Sequence, residues 1–155
     1  MTSIRTSLVD VYVLRQRGAL LECLVLRRGP EGRCPGSWEA VHGHIENAEE
    51  PAGAAIRELG EETGLTLLRL FNLSRVELFY QHQTDEVALV PVFAAFVSPD
   101  AEVRLSPEHD RFEWLAPEEA RHRFAWPRER RALDDIVALL ERGDAGPVDD
   151  VLRVC

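Results

Sequence analysis

The sequence predicts an α/β domain, because segments with the residue types of strands alternate with segments of helical periodicity along its 155 residues. The length is that of one domain and suffices to bury about two thirds of the surface that the unfolded chain exposes. No repeat and no low-complexity linker interrupts the pattern. We therefore expect a single domain over residues 1–155, with a polar C-terminal tail from about residue 143.

The first half of the chain predicts two strands and a helix. Residues 7–15 and 19–28 are apolar, β-branched or alternating, and a charged turn separates them, which indicates a hairpin-like pair. A loop rich in glycine and proline follows over residues 29–37. From Pro51 to Leu65, apolar residues recur at helical spacing, and Gly64 stands where a C-terminal cap is expected. The apolar face of this amphipathic helix consists of Ala52, Ala55, Ile56 and Leu59.

The second half predicts a β-hairpin, a short strand and two helices. Residues 65–82 have the character of one or two strands with a break near Asn72, and residues 86–97 that of a long, largely buried strand. The two are expected to pair as a hairpin. A short strand over residues 111–116 precedes a helix that begins near Pro117 and a second helix over residues 128–141.

Composition argues against several classes of function. The formal net charge of −9 disfavours a nucleic-acid surface, because phosphate backbones bind to basic stripes. The apolar run at the N-terminus contains Asp10 and is followed by Arg15, so it is too short and too charged for a signal peptide or a membrane span. Three cysteines at unrelated spacings, with no CxxC pair, favour a reduced, cytoplasmic protein.

Three glutamates stand close together on the predicted helix. Residues three and four apart share a helix face, so Glu58, Glu61 and Glu62 form one carboxylate cluster. Such a cluster has two interpretations. It is either a solvated acidic face, which is what most glutamate runs are, or a set of hard oxygen ligands for Mg²⁺ or Mn²⁺, which would convert the repulsion into coordination.

The wider stretch "GHIENAEEPAGAAIRELGEETGL", from Gly43 to Leu65, resembles the signature of the Nudix hydrolases at all nine of its defined positions. This resemblance implies an α/β/α sandwich with a mixed β-sheet between helices. It also implies Mg²⁺-dependent hydrolysis of a nucleoside diphosphate linked to another group, with Mn²⁺ as a substitute. The same likeness implies a small-molecule substrate.

The resemblance also implies roles for individual residues. Glu58 and Glu62 are expected to bind metal together with the backbone carbonyl of Gly43. Glu61 is expected to be either a further ligand or the base that takes a proton from the attacking water. Arg57 lies four residues before Glu61, within reach of an ion pair that orients the carboxylate. Family likeness also lets Glu49 fold back onto this arginine.

A further functional acid is expected from outside the signature of residues 43–65, which we call the box. The stretch "SPEHDRFEWLAPEEA" resembles the same region of bacterial dihydroneopterin triphosphate pyrophosphatases and related members, where an acid before a Trp-Leu pair is functional. On that likeness Glu108 is the first candidate and Glu113 the second. Without it, Glu108 is an ordinary loop acid.

The sequence indicates the residues that contact the substrate less clearly. Trp38, Phe79, Tyr80 and Trp126 are candidates for stacking a base or pterin ring, although core packing explains any one of them as well. Arg27 and Arg28, at the end of the second strand, are candidates for the distal phosphates or for plain surface charge. His42 replaces a glycine of many family members, and His42 and His44 either contact substrate or are ordinary loop residues.

Several functions therefore stay open. A nucleoside triphosphate is the leading substrate, and dihydroneopterin triphosphate or a dinucleoside polyphosphate is the alternative. Two alternatives come from other classes: a nucleotide sensor without catalysis, and an isopentenyl diphosphate isomerase-like enzyme that uses Cys34. The apolar segment over residues 87–97 leaves a homodimer possible, although burial in the sheet explains it equally well.

Overall fold

The computed structural model of the chain describes residues 1–155. It contains four α-helices and eight strands that belong to one sheet. The strands are β1 (Ser3–Thr6), β2 (Leu8–Arg17), β3 (Leu20–Arg28), β4 (Trp38–Glu39), β5 (Val41–His44), β6 (Leu67–Gln81), β7 (Glu86–Val97) and β8 (His109–Leu115). The helices are α1 (Pro51–Thr63), α2 (Pro117–Arg123), α3 (Pro127–Leu140) and α4 (Asp149–Leu152).

Strand β7 organises the sheet. It runs parallel to β1 and β2 on one side and antiparallel to β6 on the other. Strand β2 pairs antiparallel with β3 and β5, and β3 in turn pairs with β4 and β8. The predicted pairing of residues 7–15 with 19–28 and the predicted β6–β7 hairpin are both confirmed, and the sheet is mixed, as expected.

Both faces of the sheet are buried, which makes the fold a three-layer sandwich. Along β2, Val9, Val11 and Val13 point to the face covered by α1. The alternate residues Tyr12 and Leu14 point to the face covered by α2 and α3. Because successive side chains of a strand point to opposite faces, a strand covered on both faces is largely apolar, and Asp10 is the buried exception in β2. The expected α/β/α sandwich is thus confirmed.

Helix α1 carries the box residues. Pro51 occupies its first turn, where a missing N–H costs nothing, and Gly64 ends it with a φ of +68°. Ala55 and Leu59 are buried against the sheet, as predicted. The prediction was wrong for Ile56, which is 41% exposed and lies outside the buried face of the helix.

Strand β6 is one long strand with an irregularity where the sequence predicted a break. Its pairing with β7 shifts register between Asn72 and Val76. Ser74 adopts a φ of +49° there, and its N–H bonds to the Asn72 side chain at 2.9 Å. A bulge of this kind bends the strand without ending it.

The polar C-terminal segment packs back onto the sheet. A 3-10 turn at Gly146–Val148 leads into α4, whose Leu152 is 4% exposed. The Val154 N–H donates to the carbonyl of Leu70 at 2.7 Å, and the Leu70 N–H donates to the carbonyl of Cys155 at 2.8 Å. All three cysteines are free, and none of the helices has the length and apolar character needed to cross a membrane.

Candidate active site

A cleft of about 1190 Å³ opens beside α1 at the N-terminal end of β2. Carboxylates, arginines, histidines and aromatic rings all line it. The acidic residues are Glu39, Glu58, Glu62, Glu86 and Glu108, and the basic ones are Arg5, Arg28, Arg33, Arg128 and Arg131. A cleft that holds both signs of charge suits a ligand that brings anionic groups together with cations.

Gly43 and Glu58 are in close contact on the wall of this cleft. A Cβ atom on Gly43 would lie 2.0 Å from Cδ and 2.2 Å from Oε1 of Glu58. A side chain at residue 43 would therefore displace the Glu58 carboxylate, since non-bonded carbon atoms approach to about 3.5 Å at best. The first glycine of the box thus gives the Glu58 carboxylate its place beside the backbone of β5.

Arg57 holds the surrounding carboxylates. Its Nε and Nη2 donate to the two oxygens of Glu49, each at 2.9 Å, which is the bidentate pairing that a guanidinium makes best. Nη1 donates to Glu58 at 2.9 Å and to Glu61 at 3.2 Å. Nη2 also bonds to the carbonyl of His44 at 2.7 Å, which ties the helix to the end of β5. The expected contacts of Arg57 with Glu49 and Glu61 are therefore present.

Glu62 is the most unusual carboxylate of the cleft. It is 4% exposed, and its Oε2 has no hydrogen-bond partner. Burial raises its pKa to about 9, and the negative charges of Glu108 and Glu58 add to the effect. Burial also raises the pKa of Glu58, against the opposing effect of Arg57. Clustered carboxylates with raised pKa values are characteristic of sites that a cation completes.

Glu61 differs from its two neighbours. Its side chain is 59% exposed, and its contact is the helical ion pair with Arg57. It is absent from the residues that line the cleft, whereas Glu58 and Glu62 are among them. The structure therefore places the three box glutamates in two different environments.

The residues present fit a hard divalent cation. The unpartnered Oε2 of Glu62, the Glu58 carboxylate and the backbone of Gly43 belong to the wall of one cleft and offer oxygen, which is the ligand type that Mg²⁺ and Mn²⁺ take. No group of three or more His, Cys, Asp or Glu side chains converges as a ready-made cluster.

A buried histidine stands behind Glu62, and the sequence did not reveal it. The His109 side chain is fully buried, and its Nε2 lies 3.0 Å from Glu39. Its Nδ1 lies 3.9 Å from Oε2 of Glu62, and neither atom has a hydrogen-bond partner. Arg28 also pairs with Glu39 at 2.9 Å. This network links the cleft wall to the inner face of the candidate metal site.

A second buried network orients His42. Asp10 is 1% exposed and accepts hydrogen bonds from His42 Nδ1 at 2.5 Å and from Arg128 Nε at 2.9 Å. Burial alone would raise the pKa of Asp10, but these two partners lower it below its usual range. His42 and Arg128 both line the cleft. The sequence held one signal of this network, since Asp10 interrupts an otherwise apolar strand.

The acids after α1 fall in different places. Glu108 is exposed just before β8 and lines the cleft. Glu113 lies outside the cleft, and its carboxylate pairs with Arg123 at 2.9 Å and with Arg111 at 3.5 Å. The second candidate acid is therefore engaged elsewhere.

Two predicted substrate contacts also lie outside the cleft. Arg27 forms a two-point ion pair with Asp110, at 2.8 and 3.0 Å, whereas its neighbour Arg28 lines the cleft. Trp38 packs against the core on the α2 and α3 side and lies under the guanidinium of Arg123, 4.7 Å from the ring centroid. Neither residue is in position to contact a ligand in the cleft.

Three other aromatic candidates line the cleft. Tyr80 is 57% exposed, and its hydroxyl bonds to Asp85 at 2.9 Å. Phe79 precedes it on β6, and Trp126 lies before α3 with Arg128 5.6 Å from its ring. His44, His82 and Cys34 also belong to the cleft wall.

The model of the NUDIX domain matches residues 5–136, most of the chain, and the chain belongs to this family. It is 40% identical over 114 residues to the octanoyltransferase of Myxococcus xanthus, a match that covers 69% of this chain and 30% of that protein. It is 34% identical over 85 residues to the asymmetrical bis(5'-nucleosyl)-tetraphosphatase of Rattus norvegicus, covering 54% of this chain and 58% of that protein. The chain thus spans less than two thirds of the length of these relatives.

Among solved structures, the MutT protein from Methanosarcina mazei superimposes with a TM-score of 0.67 and is 26% identical. The superposition covers 85% of this chain and 91% of that one. The two proteins therefore share the sandwich fold.

Proposed function

We propose that the protein is a metal-dependent hydrolase that cleaves a diphosphate linkage in a nucleotide. The observation that carries this proposal is the buried Glu62, whose Oε2 has no partner beside Glu58 and the glycine backbone of Gly43. Membership in the NUDIX family supports it, because the chain carries the complete box, with Arg57, Glu58, Glu61 and Glu62 on α1. Mg²⁺ is the proposed cation and Mn²⁺ its substitute.

Each residue of the chain has a distinct task in this proposal. Glu58, Glu62 and the Gly43 carbonyl would hold the cation, which when bound neutralises phosphate charge and acidifies a water. Arg57 fixes the carboxylates through Glu49 and the His44 carbonyl. Because the reacting phosphate must sit in the cleft, the proton-accepting base must reach it there.

Glu108 is the favoured base. It lines the cleft, and its charge acts on both Glu58 and Glu62. Glu61 remains the alternative, but its contact with Arg57 and its high exposure favour a role in holding the helix face.

The remaining cleft residues suggest how a nucleoside triphosphate would bind. Four guanidinium groups of the cleft wall would face the phosphates, and charge-assisted hydrogen bonds from arginine suit phosphate oxygens. They belong to Arg28, Arg33, Arg128 and Arg131. Trp126 offers a flat surface for the base. The same features would accept dihydroneopterin triphosphate, whose pterin ring is equally flat.

A dinucleoside polyphosphate is the second candidate substrate. Two separate aromatic sites favour it within a cleft of about 1190 Å³. One is on β6, where Phe79 and Tyr80 point to opposite faces of the strand and one of the two rings would serve, and the other is Trp126 before α3. The likeness to the rat protein named as a bis(5'-nucleosyl)-tetraphosphatase supports the same choice.

The test is a substrate panel with Mg²⁺, followed by identification of the phosphorus products. The panel contains nucleoside triphosphates, dihydroneopterin triphosphate, diadenosine tetraphosphate, nucleotide sugars and isopentenyl diphosphate. Release of pyrophosphate or of a nucleotide, lost in Glu62→Gln and retained in Glu113→Gln, supports the proposal. Nucleotide binding without turnover would indicate a sensor. Isomerisation of isopentenyl diphosphate that depends on Cys34 would replace the hydrolase with an isomerase.

A further inference from the structure

A second, smaller cleft lies at the other end of β2. It has a volume of about 560 Å³ and no hydrophobic residue lines it. We call it the arginine pocket, and its residues are Gln16, Arg69, Arg142, Gly143, Asp144 and Arg153. Leu8 at the start of β2 borders the candidate active site, and Gln16 lies eight residues further along the strand, roughly 26 Å away at the rise of an extended chain.

The arginines of this pocket are unusual within the molecule. Every one of the 18 Lys and Arg residues is an arginine. Fourteen of them lie within 4.0 Å of a carboxylate, which leaves 18 − 14 = 4 without one. These four are Arg33, Arg69, Arg130 and Arg142. Arg33 lines the candidate active site, and two of the remaining three meet in the arginine pocket.

The guanidinium of Arg69 is held in place. It stacks over the ring of Phe96 at 4.7 Å from the centroid, and its Nη2 donates to the carbonyl of Gly143 at 3.1 Å. Its Nε is buried and has no acceptor. Gly143 adopts a φ of +91° in the turn that follows α3, which brings its carbonyl to this arginine. The buried Nε is out of reach of a ligand, so an anion would bind to the terminal nitrogens of this fixed guanidinium.

The other charges of the pocket leave a positive balance. Arg142 is exposed and forms no ion pair, and Arg153 lies 3.9 Å from Asp149. Asp144 is the carboxylate of the pocket, and its Oδ1 accepts the N–H of Gly146 at 2.9 Å. Three guanidinium groups therefore stand against two carboxylates, Asp144 and the Asp149 partner of Arg153, in a chain whose formal net charge is −9. An isolated positive patch on an acidic protein is not explained by the balance of surface charge.

We propose that the arginine pocket binds the phosphate group of a small molecule, at a site separate from the candidate active site. Guanidinium groups match phosphate oxygens geometrically and bind them with two parallel hydrogen bonds. The volume lies within the usual range of about 300–1,000 Å³ for small-molecule sites. The ligand is either free phosphate or the phosphate of a nucleotide, and the absence of aromatic or apolar lining favours free phosphate.

The test is an NMR titration of the ¹⁵N-labelled full chain, without divalent cations. Inorganic phosphate and adenosine monophosphate are the two probes, and sodium chloride at equal ionic strength is the reference. Shifts of the Gly143 and Asp144 amides that saturate with phosphate, and that chloride does not reproduce, support the site. Tighter binding of adenosine monophosphate than of phosphate would identify the nucleotide as the source.

Three variants complete the experiment. Arg142→Gln and Arg69→Gln are each expected to weaken phosphate binding about tenfold, since a charge-assisted hydrogen bond is lost. Arg130→Gln is the matched control, because Arg130 also lacks a carboxylate partner but lies outside both clefts. This variant should bind phosphate with the affinity of the wild type. The proposal is wrong if phosphate shifts only the amide resonances of residues in the active-site cleft. It is also wrong if Arg142→Gln and Arg130→Gln bind phosphate with the same affinity. Arg142 is exposed, so its variant gives this answer even where Arg69→Gln fails to fold.

Discussion

Gly43 and Glu58 are packed so closely that a methyl group on Gly43 would lie 2.0 Å from the carboxyl carbon of Glu58. The glycine that opens the box and the glutamate on α1 therefore form one steric unit. A side chain at residue 43 can be accommodated only if the Glu58 carboxylate or the end of β5 moves. The need for glycine here comes from this close approach, since Gly43 is not among the residues with a positive φ.

Gly43→Ala is expected to lower kcat/KM for the proposed reaction about a hundredfold, because a displacement of about 1 Å at a reacting centre costs that much. Steady-state kinetics on the best substrate of the panel measure it. The matched control is Gly60→Ala on α1, where an added Cβ meets nothing within 4 Å. That control should raise the free energy of unfolding by roughly 0.5–1 kcal/mol, since alanine favours a helix over glycine. Equal activity of the Gly43 variant and the wild type would contradict the steric argument.

Glu62→Gln is expected to separate stability from function. Without divalent cations the variant should unfold at a higher temperature than the wild type, because a neutral amide avoids the cost of burying or protonating this carboxyl, a cost that burial and then the charges of Glu108 and Glu58 impose. Added Mg²⁺ should raise the unfolding temperature of the wild type and leave that of the variant nearly unchanged. Activity should fall about a hundredfold or more, as a cation ligand is lost.

Thermal unfolding with and without Mg²⁺ measures this prediction, and Glu113→Gln serves as its control because Glu113 lies outside the cleft. A variant that is as strongly stabilised by Mg²⁺ as the wild type would show that Glu62 does not hold the cation.

The sequence predicted the parts of this molecule that depend on local patterns. Helical spacing placed Ala55 and Leu59 in the core, and the box pattern anticipated the contact between Glu49 and Arg57. These contacts lie within eight residues along the chain, so helix geometry and a short loop determine them.

Contacts between distant segments could not be predicted in this way. Asp10 and Arg128 are 118 residues apart and meet because α3 packs near the start of β2. Arg27 and Arg28 are neighbours on β3 and point to opposite faces, so the packing of distant segments decides which of them lines the cleft. Local composition shows that a buried charge such as Asp10 needs a partner, but not which distant residue supplies it.

Glu108→Gln is expected to reduce kcat about a hundredfold, because Glu108 is the favoured base and general-base catalysis contributes about 10²–10⁴-fold. Glu61→Gln should reduce it less, since Glu61 lies on the exposed side of α1. Pre-steady-state measurement of the chemical step distinguishes the two. A larger effect from Glu61 than from Glu108 would assign the base to the box.

Arg57→Lys is expected to lower activity about 10- to 100-fold, although the positive charge is retained. A lysine ammonium cannot reproduce the two-point bond to Glu49 together with the bonds to Glu58 and the His44 carbonyl. The measurement is kcat/KM compared with a Glu49→Gln variant and with the double variant. Additive effects in this cycle would mean that Arg57 and Glu49 act independently, contrary to their direct contact.

Glu129 is expected to make stability depend on pH. It is 1% exposed, and its Oε2 accepts the Ala40 N–H at 2.6 Å, while Oε1 has no partner. Burial raises its pKa from 4.5 to about 8. Between these two values the folded state binds more protons than the unfolded state, so the free energy of unfolding falls as pH rises through this window. Below the lower value both states are protonated, and the effect vanishes.

Glu129→Gln removes the ionisation and keeps an oxygen that can accept the Ala40 N–H. The wild type should therefore lose stability relative to this variant between pH 5 and pH 8.5, by on the order of 4 kcal/mol, as follows from about 1.4 kcal/mol for each pKa unit. Urea denaturation at several pH values measures the free energy of unfolding of each protein. Taking the difference between the two proteins cancels the contribution of titrating groups that both contain. Glu118→Gln on the exposed face of α2 is the control and should follow the wild type. Parallel pH profiles for Glu129→Gln and the wild type would show that the buried carboxyl keeps an ordinary pKa.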